Sequence, residues 1–293
     1  MIRGPAAVEA VATIQRLQLF AAVFQAPPTA ASLLGPDYGL PCLAVMTAAA
    51  QLLDAIECKA QQPAFEEDER CMALMAALLL PLRSATVSMG KGSKKGAPLA
   101  AWIIKEAIKW PNKDTDGVTL LHSLAPGLLD ISNSLQAGVA AEGEQGWVVR
   151  AQLGQVLRRL GKAHLLRPGL VVASLLSMPE ARPLGVQHAA GSSPEAAHSP
   201  GPTSSQTQDD SASRLECYNR LDAAMASFGL QGCWDWRPLL DGKEVMQAAN
   251  LTKGGPELGK LTGLVLDFQL SHPQATKEDA IAWLQQQINE APG

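Results

Sequence analysis

Aromatic residues are scarce in this 293-residue chain, at 4%, and Leu, Ala, Gln and the basic residues outnumber Val, Ile, Thr and Tyr. No stretch alternates apolar and polar residues with a period of two, which argues against a sheet-based fold and predicts an all-α protein. Cysteine is also thin. Cys42, Cys58, Cys71, Cys217 and Cys233 are odd in number, widely spaced and never in a C-x-x-C pair. That excludes a disulfide scaffold or zinc ribbon and predicts reduced, buried thiols in an intracellular protein, with the compartment left open. Long apolar runs are missing too. The longest, Met72–Leu82, falls well short of the roughly 20 residues a bilayer requires, so no membrane association is expected. Near the start, Glu9 stands between Arg3 and Arg16 and no unbroken apolar region follows, so neither a secretory nor a transit signal is read.

With 47% hydrophobic and 18% charged residues, the chain has the balance of a globular protein with one or two domains. Val8, Val11, Ile14 or Leu17, and Phe20 or Ala21 keep helical spacing up to a break at Pro27-Pro28. Helices are predicted over 43–59 and 65–82, the second opened by Glu66, Glu67, Asp68 and Glu69, where the helix dipole favours acid. A basic amphipathic helix is predicted over 147–167, with Leu153, Val156 or Leu157, and Leu160 inward and Arg158, Arg159 and Lys162 outward. Around 179–213 the composition turns to Pro, Ser, Gly, Gln and Ala, which cannot offset the entropy of ordering and predicts a disordered insertion. It separates residues 1–178 from 214–293, where Leu215, Tyr218, Leu221, Met225 and Phe228 resume an apolar stripe.

The stretch LLDGKEVMQAANLTKGGPELGKLTGLVLDFQLSHPQATKEDAIAWL, residues 239–284, reads as three short helices. Asp241-Gly242 starts one. Pro256 takes the first position of the next, where its missing N–H costs nothing, and His272-Pro273 stops it. Thr276 starts the third by capping the amide of Asp279. Leu258, Leu261, Val265 and Phe268 share one face of the middle helix. At its start, Lys253, the amides after Gly255, and Lys260 form an arrangement suited to a phosphate, with Gly259 keeping the approach clear. Gly254 and Gly259-Lys260 nearly spell a nucleotide P-loop, but Leu261 replaces its Ser or Thr, Pro256 removes an amide and no strand precedes it.

This stretch resembles the tail of the eukaryotic CCA-adding tRNA nucleotidyltransferases. Leu239, Leu240, Gly242, Lys243, Met246, Gly255, Pro256, Gly259, Gln269, Leu270, His272, Pro273, Thr276, Glu278 and Trp283-Leu284 stand in register, with Arg237 in place of Lys and Phe268 in place of Trp. Residues 68–124 are similar to the family's body. Arg150, Leu153, Gly154, Leu157 and Arg158 match its R-x-x-L-G-x-x-L-R helix, although Pro168-Gly169 fall where that helix continues. The resemblance implies an irregular multi-helix neck, body and tail that clamp the acceptor and T arms of tRNA. The family's catalytic head, with its Gly-Gly-x-x-x-Arg-Asp, D-x-D and Arg-Arg-Asp motifs, has no counterpart here, and Glu67-Asp68-Glu69-Arg70 is one residue short of its nucleotide-selecting element. The expectation is therefore tRNA binding without CCA addition by this chain alone, with a catalytic head supplied elsewhere as a further partner. No cofactor is expected in the chain itself, whereas the complete family enzyme would use Mg2+, CTP and ATP.

The net charge of −4 is unevenly spread. Over 83–113, Arg83, Lys91, Lys94, Lys95, Lys105, Lys109 and Lys113 face a single acid, Glu106; over 150–167, Arg150, Arg158, Arg159, Lys162 and Arg167 face none. Such segregation lets an acidic protein bind phosphates. Candidate RNA contacts are Lys91, Lys94 and Lys95 in a Gly-rich loop, Lys105 and Lys109 one turn apart, Arg150, Arg158, Arg159 and Lys162, and the tail set Lys253, Gly255, Gly259 and Lys260. Asp114-Thr115-Asp116 has the spacing of a two-metal D-x-D, but it follows Pro111-Asn112 and precedes a helical run, which predicts an N-cap. The alternative is a helical protein-interaction module whose basic residues are solvated faces.

Overall fold

The computed structural model describes residues 1–60, 64–87, 96–138, 143–161, 163–184, 204–251 and 253–290. These are overwhelmingly helical, as the composition predicts. The first helices are α1 (Ala7–Arg16), α2 (Phe20–Val23), α3 (Pro28–Leu34), α4 (Gly39–Ala60), α5 (Glu67–Leu79), α6 (Leu99–Trp102) and α7 (Asn112–Gln136). After them come α8 (Glu144–Leu160), α9 (Ala163–Leu175), α10 (Ser204–Ser227), α11 (Gly242–Ala248), α12 (Pro256–Ser271) and α13 (Lys277–Glu290). Two two-residue strands, β1 (Thr86–Val87) and β2 (Ala97–Pro98), pair antiparallel with Thr86 opposite Pro98. The chain divides into two compact units that interleave in sequence: Met1–Leu129 with Ala163–Arg220, and Asp130–Lys162 with Leu221–Gly293.

In the first unit α5 is the central element. Every residue from Cys71 to Leu79 is buried, the mark of a helix apolar all round and packed on several sides, here chiefly by α4 and α9. It starts on a reciprocal cap in which the Glu66 amide donates to the Glu69 carboxylate over 3.1 Å and the Glu66 side chain accepts from the third amide. A 3-10 turn, Leu80–Leu82, follows. Helix α4 is the described helix long and apolar enough to cross a membrane by length and composition, although polar residues interrupt its apolar run; half of its most apolar window is buried inside the protein.

The predicted N-terminal helix breaks earlier than Pro27-Pro28. Gln18 takes a left-handed φ of 58° between α1 and α2, leaving Leu17 exposed, and Pro28 opens a helix as its first residue instead of ending one. The predicted 147–167 helix is likewise two helices. Gly161, at φ 61°, accepts the left-handed turn that ends α8, and α9 then runs through Pro168, whose ring is buried. Helix α10 begins at Ser204, ten residues ahead of the start read from the apolar stripe; of the insertion read over 179–213, residues 185–203 lie outside the described residues.

The second unit is built on α8, α11, α12 and α13. The three tail helices start where their turn signals put them. The Asp241 carboxylate accepts from the amides of Lys243 and Glu244, both at 2.8 Å, and the Asp279 amide donates to Thr276 Oγ1 over 3.2 Å. Leu240, Val245, Ala248, Val265, Phe268, Ala280 and Leu284 form their core, with Leu258 and Leu261 packed on its edge. Helix α12 also packs on α8, where a Cβ at Gly154 would stand 2.6 Å from a Leu270 methyl. The glycine lets the two helices approach.

Candidate nucleic-acid interface

In the first unit Lys91, Lys94 and Lys95 belong to the segment between β1 and β2 and lie outside the described residues. Lys105 is exposed on a π-helical turn, Ile103–Ala107. Lys109 is not one helical turn further along. It sits past the helix at φ 58°, with its ammonium 3.3 Å from the Glu106 carboxylate, because the wider π turn exhausts the helix before residue 109. Arg83 is turned inward, donating to the carbonyls of Leu80 and Ala181, and Arg167 donates to Ala64.

The D-x-D carboxylates do not cap α7. The helix starts at Asn112, and the amides of Asp114 and Thr115 both donate to the Pro111 carbonyl, so the pair sits inside the first turn. Two residues apart on a helix, the side chains diverge. Asp114 is buried, with Oδ2 3.9 Å from an Arg3 nitrogen, while Asp116 is exposed. Arg3 also bonds Asp68, and this pairing holds the Asp68 carboxyl below the usual carboxylate range. Among the described residues, no group of three or more His, Cys, Asp and Glu converges as a metal site. The cysteines form no disulfide; four are buried as predicted, and Cys58 is exposed.

In the second unit the two arginines of the R-x-x-L-G-x-x-L-R match serve the fold. Arg150 is 3% exposed and donates to three main-chain carbonyls, those of Phe228 (2.9 Å), Gln269 (3.3 Å) and Leu270. Arg158 donates to Cys233 (2.7 Å) and Trp236 (2.9 Å). Neither guanidinium faces outward as expected. The spacing held the clue for Arg150, which is three residues before Leu153 and seven before Leu157 and so lies on the apolar stripe. Arg159 is exposed, and Lys162 lies outside the described residues.

The tail set keeps its expected exposure. Lys253, Gly255, Gly259 and Lys260 are all exposed, and a Cβ at Gly255 or Gly259 would meet nothing within 4 Å. Unlike α11 and α13, α12 starts with no side-chain cap, so its first amides are left for solvent or an anion. By contrast, the residues that carry the tail resemblance mostly build the fold. Leu240, Leu270 and Leu284 are buried, His272 and Trp283 each stack on Phe268, at 4.4 and 4.7 Å, and Gln269 donates to the Arg237 carbonyl over 3.3 Å.

Among curated proteins the chain is similar to the tRNA nucleotidyltransferase cca2 of Schizosaccharomyces pombe, with 38% identity over 56 residues. The match covers 19% of this chain and 11% of that protein, a local likeness to a CCA-adding enzyme. No family model and no solved structure matches the chain.

Proposed function

We propose that this chain binds tRNA through its phosphates, as the body and tail of a CCA-adding enzyme would, and contributes holding rather than chemistry. The observation that carries the reading is the 56-residue likeness to a tRNA nucleotidyltransferase. Support comes from the exposed, uncapped start of α12 between Lys253 and Lys260, which offers main-chain donors and two cations to a phosphate. Lys105, Lys109, Arg159, Lys162 and the lysines at 91, 94 and 95 are the other cations proposed to meet phosphate; Arg150 and Arg158 leave that set because their donors are used inside the protein.

The test is tRNA binding by the full chain and by Lys253→Ala/Lys260→Ala and Gly259→Val variants. The double alanine variant should weaken binding about tenfold, uniformly across tRNAs. Gly259→Val should also weaken it with circular dichroism unchanged, since the new side chain enters open space at the helix start. Undiminished binding by both variants rejects this phosphate site.

A further inference from the structure

The second unit carries a groove that the proposed tRNA contacts do not use. It has a volume of about 590 Å3 and runs between α8 and α12, with Trp283 of α13 at its side. On α8 its lining runs from Glu144 through Trp147, Val148 and Ala151 to Gln155, three turns or about 16 Å of one helix face. Trp147, Val148 and Leu264 lie in it 41%, 52% and 40% exposed, three of the seven large apolar side chains that the described residues leave exposed. Trp147 is 5.2 Å from the His272 ring, which continues into Phe268 and Trp283, so its exposed face is held on a packed aromatic stack.

Charge and hydrogen bonding select the occupant. The ionised side chains lining the groove are acidic, Glu144 and Asp267, and no Lys or Arg lines it. Asp267 is fixed there by the Gln155 amide, 2.7 Å away. A nucleic-acid backbone would bring phosphates against those carboxylates. Past the first turn of α8, which has no side-chain cap, the walls offer only main-chain groups paired within helices, so an occupant has to satisfy its own backbone; an amphipathic helix does that and can lay an apolar stripe between two helices. We infer that this groove docks an amphipathic α-helix of another polypeptide, its apolar stripe on Trp147, Val148 and Leu264 and its flanking Lys or Arg residues on Glu144 and Asp267. Trp147 adds a ring face suited to a cation. The inference does not rest on the tRNA reading, which uses other residues.

The experiment titrates the full chain into two fluorescein-labelled peptides of about fourteen residues, each with Leu at helical spacing, one with Lys and the other with Glu on the remaining positions. The Lys peptide should bind saturably, and the Glu peptide at least about tenfold more weakly. Val148→Ser/Leu264→Ser, at exposed positions, removes the apolar side chains without adding charge and should weaken the Lys peptide about tenfold or more with circular dichroism and tRNA affinity unchanged. Glu144→Lys/Asp267→Lys, which replaces both acids, should reverse the peptide preference. Equal binding of the two peptides, or binding that survives Val148→Ser/Leu264→Ser, overturns the inference. So does direct binding of a labelled oligocytidylate to the chain that these substitutions abolish, which would make the groove an RNA site.

Discussion

Arg150 and Arg159 are nine residues apart on one helix with the same charge, and the protein uses them in opposite ways. Removing the Arg150 guanidinium strands three main-chain carbonyls in a place water does not reach, so Arg150→Met should cost about 3 kcal/mol, while Arg159→Met at an exposed position should stay within about 0.5 kcal/mol. Urea unfolding of the two variants measures the difference. Another buried polar residue sets a pH dependence. His122 Nε2 meets the Ala76 carbonyl at 2.7 Å, a bond that requires the proton on that nitrogen, and burial pushes the imidazole pKa down from 6.5 to about 4. Between those values the unfolded chain binds a proton that the folded chain refuses, so stability should be full above about pH 6.5 and fall by about 3 kcal/mol on acidification to pH 4. Urea midpoints across that range should drop in the native chain and flatten in His122→Gln. A native midpoint that does not move across the window contradicts this assignment.

At the scale of elements, what could be read in advance was what depends on near neighbours. Asp241, Pro256 and Thr276 act within three residues of themselves, and all three tail helices begin where those residues put them. The apolar run of α5 and its acidic start were legible for the same reason. What escaped depends on distant partners or backbone twist. The left-handed turns at Gln18 and Gly161 divide segments whose apolar spacing is continuous, and Pro168 does not stop α9 because its ring finds a buried place. Gly154 belongs to this second kind, since nothing near it in sequence announces that Leu270 lies against it. Gly154→Ala should push α8 and α12 apart and cost about 2 kcal/mol by urea unfolding, whereas Gly263→Ala, at an open position inside α12, should stabilise by up to about 1 kcal/mol.

For the whole molecule, the candidate site was legible as charge but not as geometry. Counting cations along the chain treats every Arg and Lys as available, yet Arg83, Arg150, Arg158 and Arg167 donate to main-chain carbonyls. The cations that remain outward are mostly lysines, which hold phosphates as mobile point charges and so favour a backbone grip over base reading. Each neutralised phosphate releases counterions, and four of them imply an affinity that falls about a hundredfold as salt rises from about 50 to 200 mM. The most direct test of tRNA binding by this chain is therefore its affinity for tRNA measured across that range. Tight binding at low salt with that steep decline is the predicted result; no binding at 50 mM, or an affinity indifferent to salt, contradicts it.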